Sequence, residues 1–235
     1  MRYSKFYNTQ DNIEDMAERV TSGVVGLDKE MEGGFIKDSV NLISGATGTG
    51  KTIFGLQYIW QGLKKGENGV FISLEQEPED IFADAQVFDW DFKKYIDQKK
   101  CVIEYLSTWN LEELPLIVLE KINEIKAKRF VLDSISLVCS ELEPDRMRSE
   151  ISEFFNKLKH SGATSLLISE IPEESKSLST FGIEEYIVDG IVVLNYLEFA
   201  AGGSPRSLLI RKMRRTKHSS DIYPFKITTK GIELK

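Results

Sequence analysis

The sequence predicts an α/β fold: a mostly parallel sheet flanked by helices, with an antiparallel extension at the C-terminus. Three observations predict it. Between residues 39 and 169, apolar runs of strand length alternate with segments of helical periodicity, the pattern of a parallel sheet with helices on both faces. After Glu184 the alternation stops, and strand-like runs follow one another without helices. Residues Gly45-Ala46-Thr47-Gly48-Thr49-Gly50-Lys51-Thr52 form a G-x-x-x-x-G-K-[ST] phosphate-binding loop between a strand-like and a helix-like segment.

In order, the first twenty residues read as a polar N-terminal extension with a short helix around Asn12 to Arg19, and residues 21–235 as the folded domain. Thr21 to Lys37 is turn-rich, punctuated by Gly23, Gly26, Gly33 and Gly34. Ser39 to Ser44 is a buried strand. The helix after the loop ends at Lys64-Lys65-Gly66, with basic residues in its last turn and a glycine cap. Gly69 to Leu74 is the next strand, and Pro78-Glu79-Asp80 starts a helix. Cys101 to Leu106 is a strand, and Leu111 to Lys126 a helix with Leu114, Ile117, Val118 and Ile122 on one face. Arg129 to Ser134 is a strand, read as apolar up to Asp133; Arg146 to His160 is an amphipathic helix; Thr164 to Ser169 is a strand. Tyr186–Tyr196, Ser207–Met213, Tyr223–Ile227 and Gly231–Leu234 are the closing strands.

The 235 residues suffice for one large domain with a buried core. A hydrophobic content of 41% and a charged content of 29% suit a soluble globular chain. No apolar run approaches the ~18 residues that a membrane helix needs, and residues 1–20 lack the apolar stretch of a signal peptide. No membrane partner is expected. Cys101 and Cys139 lack metal-ligand spacing and read as buried free thiols of a cytoplasmic protein. The net charge of −7 argues against a permanent nucleic-acid coat.

The chemistry is written around the loop. Gly45, Gly48 and Gly50 let backbone N–H groups curl around an anion, and the helix N-terminus adds partial positive charge. The nucleotide-binding candidates are Gly45, Thr47, Gly48, Thr49, Gly50, Lys51 and Thr52. Lys51 reaches β- and γ-phosphates and also counts among the catalytic candidates; the Thr52 hydroxyl ligates Mg²⁺. Asp133, at a strand end, is the second Mg²⁺ candidate. Glu75, also at a strand end, is the candidate to activate water, because ligands of parallel sheets sit at the carboxyl ends of strands. Arg211 to His218 is the strongest basic run of an acidic chain. On a strand, alternation sends Lys212 and Arg214 to one face and Arg211 and Met213 to the other. A cation pair there can clamp a phosphate, can protect an exposed strand edge, or can contact nucleic acid.

These residues resemble the KaiC-like branch of the RecA superfamily. Beyond the loop, the resemblance rests on Arg19 to Asp28 followed by Gly33-Gly34-Phe35, on Phe71 to Pro78, and on Phe88-Asp89-Trp90-Asp91, an F-G-W-D segment with aspartate for glycine. It continues through Glu184 to Gly190, Lys212 to His218, Tyr223-Pro224-Phe225 and Gly231-Ile232. The resemblance implies a RecA-like P-loop NTPase core, Mg-ATP binding, and a homo-oligomeric ring, a hexamer, with ATP at subunit interfaces. It implies that Glu75 activates water, that Lys212 and Arg214 reach the neighbouring subunit's ATP, and that His218 lies near the same nucleotide. Adenine over guanine rests on the resemblance alone.

The chain also departs from the family. Gln76 stands where KaiC proteins often carry a second glutamate, a change that either slows turnover or shifts the burden to Glu75. The clock proteins have two such domains in tandem and a phosphorylated Ser/Thr pair; here there is one domain, and Ser175, Ser177, Ser179 and Thr180 do not match that pair. The expected function is therefore a cytoplasmic ATPase assembled as a ring. The alternatives are a nucleic-acid-binding accessory protein of the recombinase-paralogue kind, and a slow ATP-gated scaffold for a protein partner.

Overall fold

The computed structural model describes residues 17–110, 112–172, 177–197 and 206–235. In chain order its elements are β1 (Arg19–Val20), β2 (Phe35–Ile36), β3 (Val40–Gly45), α1 (Lys51–Lys64), β4 (Gly69–Ser73), α2 (Pro78–Gln86), α3 (Phe92–Asp97), β5 (Cys101–Tyr105) and α4 (Leu114–Glu124). They continue as β6 (Arg129–Asp133), α5 (Ile135–Ser140), α6 (Pro144–Lys159), β7 (Thr164–Glu170), α7 (Glu184–Ile187), β8 (Gly190–Tyr196), β9 (Arg206–Met213), β10 (Ile222–Thr228) and β11 (Gly231–Leu234).

The main sheet has nine strands among the described residues, in the order β11-β10-β9-β8-β3-β7-β6-β4-β5. From β5 to β8 neighbouring strands run parallel; β8 to β11 are antiparallel. The predicted mixed architecture is the one observed. Its cause is the two-residue period of the strands. Phe71, Val131, Leu166 and Ile168 point to the face that α1 covers, where Phe54 and Ile59 meet them. Val70, Ile72, Phe130, Leu132 and Leu167 point to the opposite face, against Val118 of α4 and Ile151, Phe155 and Leu158 of α6. On α1, Gly55 allows close approach: a Cβ there would lie 3.0 Å from Val131 and 3.2 Å from Phe71.

Several boundaries differ from the sequence reading. Of the helix expected around Asn12 to Arg19, residues 12–16 lie outside the described residues; Arg19 and Val20 are extended and pair antiparallel with Ile36 and Phe35. Leu111 also lies outside them, and α4 starts at Leu114, because Asn110 caps a turn before it: its Oδ1 accepts from Glu113 N at 2.8 Å and its carbonyl from Leu114 N at 2.9 Å. The strand expected from Tyr186 begins only at Gly190; residues 184–187 are the short α7. The sequence reading did not identify α3, whose start is capped by the Asp91 side chain accepting from Lys94 N at 3.2 Å, or α5. Asp89, which replaces a glycine of the family segment, has φ 57°, so the left-handed backbone that favours glycine is kept.

The largest correction concerns Arg129, which opens β6 and was read as part of an apolar run. Its side chain is only 1% exposed and forms a 2.6 Å ion pair with Glu67. Its Nη1 donates to the carbonyls of Thr21 at 2.7 Å and Tyr58 at 2.9 Å, and its guanidinium lies 4.5 Å from the Tyr58 ring centroid. A buried cation is tolerated only when it is paired and hydrogen-bonded this fully.

Candidate nucleotide site

The strand order places the site. From β3 the chain skips past the positions of β7 and β6 to form β4, so the carboxyl ends of β3, β7, β6 and β4 stand side by side. Such a crossover point is where ligands bind in parallel α/β sheets. Gly45, Glu170, Asp133 and Ser73 end these four strands, with Gly45 opposite Glu170 and Ser73 opposite Asp133 in register.

The loop leaves β3 at Gly45. Thr47 and Gly48 are exposed at its tip, and Thr49 is buried. Gly48 (φ 75°) and Gly50 (φ 105°) take the left-handed backbone that the turn requires. Helix α1 then starts at Lys51, so the first-turn N–H groups have no carbonyl partner within the helix and face the loop. Three donors converge on the Ala46 carbonyl: Thr49 Oγ1 at 2.8 Å, Lys51 Nζ at 3.1 Å and Thr49 N at 3.4 Å. Burial holds the Lys51 ammonium below the ordinary lysine range, against the opposing pull of Glu170, Asp133 and Glu75. This is a cluster of donors with acidic groups around it, suited to an anion accompanied by a cation.

Thr52 and Asp133, the two Mg²⁺ candidates of the sequence, meet: Thr52 Oγ1 donates to Asp133 Oδ2 at 2.8 Å. Burial raises the Asp133 carboxyl to about 7, offset in part by the Thr52 hydrogen bond and reinforced by Glu75. Glu75 leaves the end of β4 in an exposed position, and its Oε1 accepts from Ser134 Oγ at 2.6 Å. The Glu75 and Gln76 amides both donate to Ser73 Oγ, at 3.2 and 2.8 Å, which fixes the turn. Lys51, Thr52, Asp133 and Glu75 are therefore brought together.

Lys212, Arg214 and His218 are not at this loop. Met213 pairs with Gly190 at the start of β8, and Asp189 N donates to Val40 O at 2.8 Å at the start of β3. The basic residues thus lie at the amino end of β3, about 17 Å by strand rise from the loop at its carboxyl end. There Lys212 Nζ donates to the carbonyls of Glu185 at 3.0 Å and Val188 at 2.7 Å. Arg214 Nη1 lies 3.5 Å from Asp189 Oδ1, which also pairs with Lys159 at 2.9 Å. His218 follows in the β9–β10 connection, its Nδ1 2.8 Å from Ser219 O. The expected alternation is also interrupted. A bulge pairs Ile191 with Lys212 and Val192 with Ile210, so Arg211 is the extra residue. As a result Arg211 is exposed while Met213 is buried.

Two residues of the cluster escaped the sequence reading. Glu170 ends β7 beside the loop, and the strand-end argument applied to Glu75 would have found it. Ser134 lies beyond the end of β6, and its role depends on a contact with a distant strand end that no local pattern encodes. Among the described residues no three or more His, Cys, Asp or Glu side chains form a group that could hold a metal by themselves. The Thr52–Asp133 pair fits instead a cation that takes its remaining oxygen ligands from phosphate and water.

The family profile described as "ATPase: KaiC" matches residues 20–235. The UPF0273 protein of Thermotoga maritima is 35% identical over 93% of this chain and 96% of its own length. The circadian clock oscillator protein KaiC of Synechococcus elongatus is 31% identical over 100% of this chain but only 47% of its own, so the chain spans about half that relative's length. A solved KaiC-like protein from the archaeon Pyrococcus horikoshii superposes with a TM-score of 0.85 at 38% identity, covering 93% of this chain and 99% of that one.

Proposed function

This chain belongs to the KaiC ATPase family, and from that premise we propose that it binds Mg-ATP and hydrolyses it to ADP and phosphate at the subunit interfaces of a homo-oligomeric ring. The observation that carries the reading is the meeting of Thr52 with Asp133 at 2.8 Å, on a loop where the Lys51 ammonium and the Thr49 hydroxyl and amide converge on the Ala46 carbonyl.

Each residue has a role. The loop amides and Lys51 bind the β- and γ-phosphates. Thr52 and Asp133 hold Mg²⁺, which when bound neutralises charge on the phosphates. Glu75 accepts the proton of the attacking water as its oxygen bonds to the γ-phosphorus and the bond to the bridging oxygen breaks. Lys212 and Arg214 lie too far from their own loop to act on it, which supports a role at the neighbour's nucleotide. There they neutralise transition-state charge in trans, with His218 near the same nucleotide. The family resemblance gives a hexameric ring, and the two buried free thiols favour the cytoplasm. No helix among the described residues is long and apolar enough to cross a membrane.

The test is Mg²⁺ with γ-phosphate-labelled ATP. Label released as free phosphate, at a rate per chain that rises with protein concentration, supports the reading. Label transferred to the protein, or ATP bound but intact, contradicts it; the latter outcome favours a nucleotide-gated scaffold. Glu75→Gln keeps ATP binding and slows release by about 10²-fold or more.

A further inference from the structure

The exposed tip of the loop is held from outside by the facing ends of β8 and β9. Tyr196 ends β8, Arg206 begins β9, and the two are register partners. Both donate to one acceptor, the Gly48 carbonyl: Tyr196 OH at 2.7 Å, Arg206 Nε at 3.2 Å and Arg206 Nη2 at 3.2 Å. The guanidinium also lies over the Tyr196 ring, 5.6 Å from its centroid, so the two side chains support each other.

The consequence lies on the other side of the same peptide. In a trans peptide the C=O and the following N–H point in opposite directions. Holding the Gly48 carbonyl outward therefore turns the Thr49 N–H inward. The hydrogen bonds agree: Thr49 N points at Ala46 O, the carbonyl that also takes the Lys51 ammonium. At 3.4 Å that amide bond is long, and an anionic oxygen is the stronger acceptor. Gly48, left-handed at φ 75° and without a Cβ, restricts the following peptide less than any other residue would, so the hold on its carbonyl helps set the peptide's direction.

We propose that Tyr196 and Arg206 are positioning residues for nucleotide binding: by fixing the Gly48 carbonyl they aim the Thr49 amide at the polyphosphate, and they couple the β8–β9 hairpin stem to the loop. The inference rests on the nucleotide-binding reading above.

The test compares Tyr196→Phe, Arg206→Ala and the double variant with wild type in titrations with a fluorescent ADP analogue and in steady-state hydrolysis. The expected result is a Kd for ADP raised about threefold by Tyr196→Phe and about tenfold by Arg206→Ala. KM for ATP rises in step while kcat stays near wild type, because neither residue faces the reacting water. Arg206→Lys, which keeps the charge and one donor, recovers part of the loss. Both side chains are at the surface, so the unfolding midpoint without nucleotide stays within a degree or two; if Arg206→Ala is unstable, Tyr196→Phe, which removes a single oxygen, carries the test. Variants that bind ADP like wild type, or that lower kcat at constant KM, overturn the positioning role and leave the nucleotide-binding reading intact. A wild-type protein that binds no ADP overturns both.

Discussion

Ser134 Oγ donates to Glu75 Oε1 at 2.6 Å, joining the residue that follows β6 to the turn that follows β4. Glu75 is exposed and has a mobile side chain by nature, whereas Ser134 is buried. The serine thus restricts the carboxylate to one direction while its second oxygen remains for water. Ser134→Ala is expected to lower kcat about tenfold with KM unchanged, because orientation is lost and phosphate contacts are not. Ser134→Thr, which keeps the hydroxyl, restores most of the rate. A rise in KM at constant kcat would assign Ser134 to binding instead.

The trans role of Lys212 and Arg214 has a sharp test in mixed rings. Lys212→Ala with Arg214→Ala should reduce hydrolysis by about 10³-fold while ATP still binds. Glu75→Gln is inactive for a different reason. Mixing the two inactive proteins creates interfaces where an intact Glu75 faces intact cations, so activity returns to a fraction of wild type. Mixtures that stay inactive after subunit exchange would mean that the cations serve only their own chain, where Lys212 ties down the Glu185 and Val188 carbonyls.

Arg129 is expected to be a point of high sensitivity for stability. Arg129→Ala leaves the Thr21 and Tyr58 carbonyls without their donor and opens space beside Gly62, so unfolding free energy should fall by about 3 kcal/mol or more. Glu67→Gln removes the charge paired with this buried cation but keeps a hydrogen-bond acceptor at a half-exposed position, so it should cost about 1–2 kcal/mol, less than Arg129→Ala. Urea titrations of both variants check the order; equal losses would contradict this account of Arg129.

The two thiols should be inert in the native protein. Burial raises the Cys101 thiol to about 12, and burial together with the nearby Glu184 carboxylate raises Cys139 as well. With both shifted upward, the reactive thiolate is scarce at neutral pH and access is blocked. A disulfide reagent at pH 8 is expected to titrate no thiol in the folded protein and two after denaturation. Rapid native labelling of either would place it nearer the surface.

The loop, its flanking strand and helix, strands β3 to β7 and the longer helices between them were legible in the sequence because each is a local pattern, whereas the short α3 and α5 were not. Period two marks strands, period three to four marks helices, and glycine spacing marks the turn. Asp133 and Glu75 were legible for the same reason, since a strand end in a parallel sheet is recognisable along the chain. The short α7 was not, because Tyr186 and Ile187 suit a strand as well as a helix and packing decides between them. Arg129 was misread because a buried arginine is revealed only by partners drawn from residues 21, 58 and 67. The sequence by itself determined which groups are candidates to bind phosphate and cation. The tertiary structure decided which of them share one space: it set Thr52 on Asp133 and Ser134 on Glu75, turned Tyr196 and Arg206 onto Gly48, and carried Lys212 and Arg214 to the opposite end of the sheet. The reason is that side chains far apart in the chain meet only through strand order and register, which pairing across the whole sheet fixes and no local pattern records.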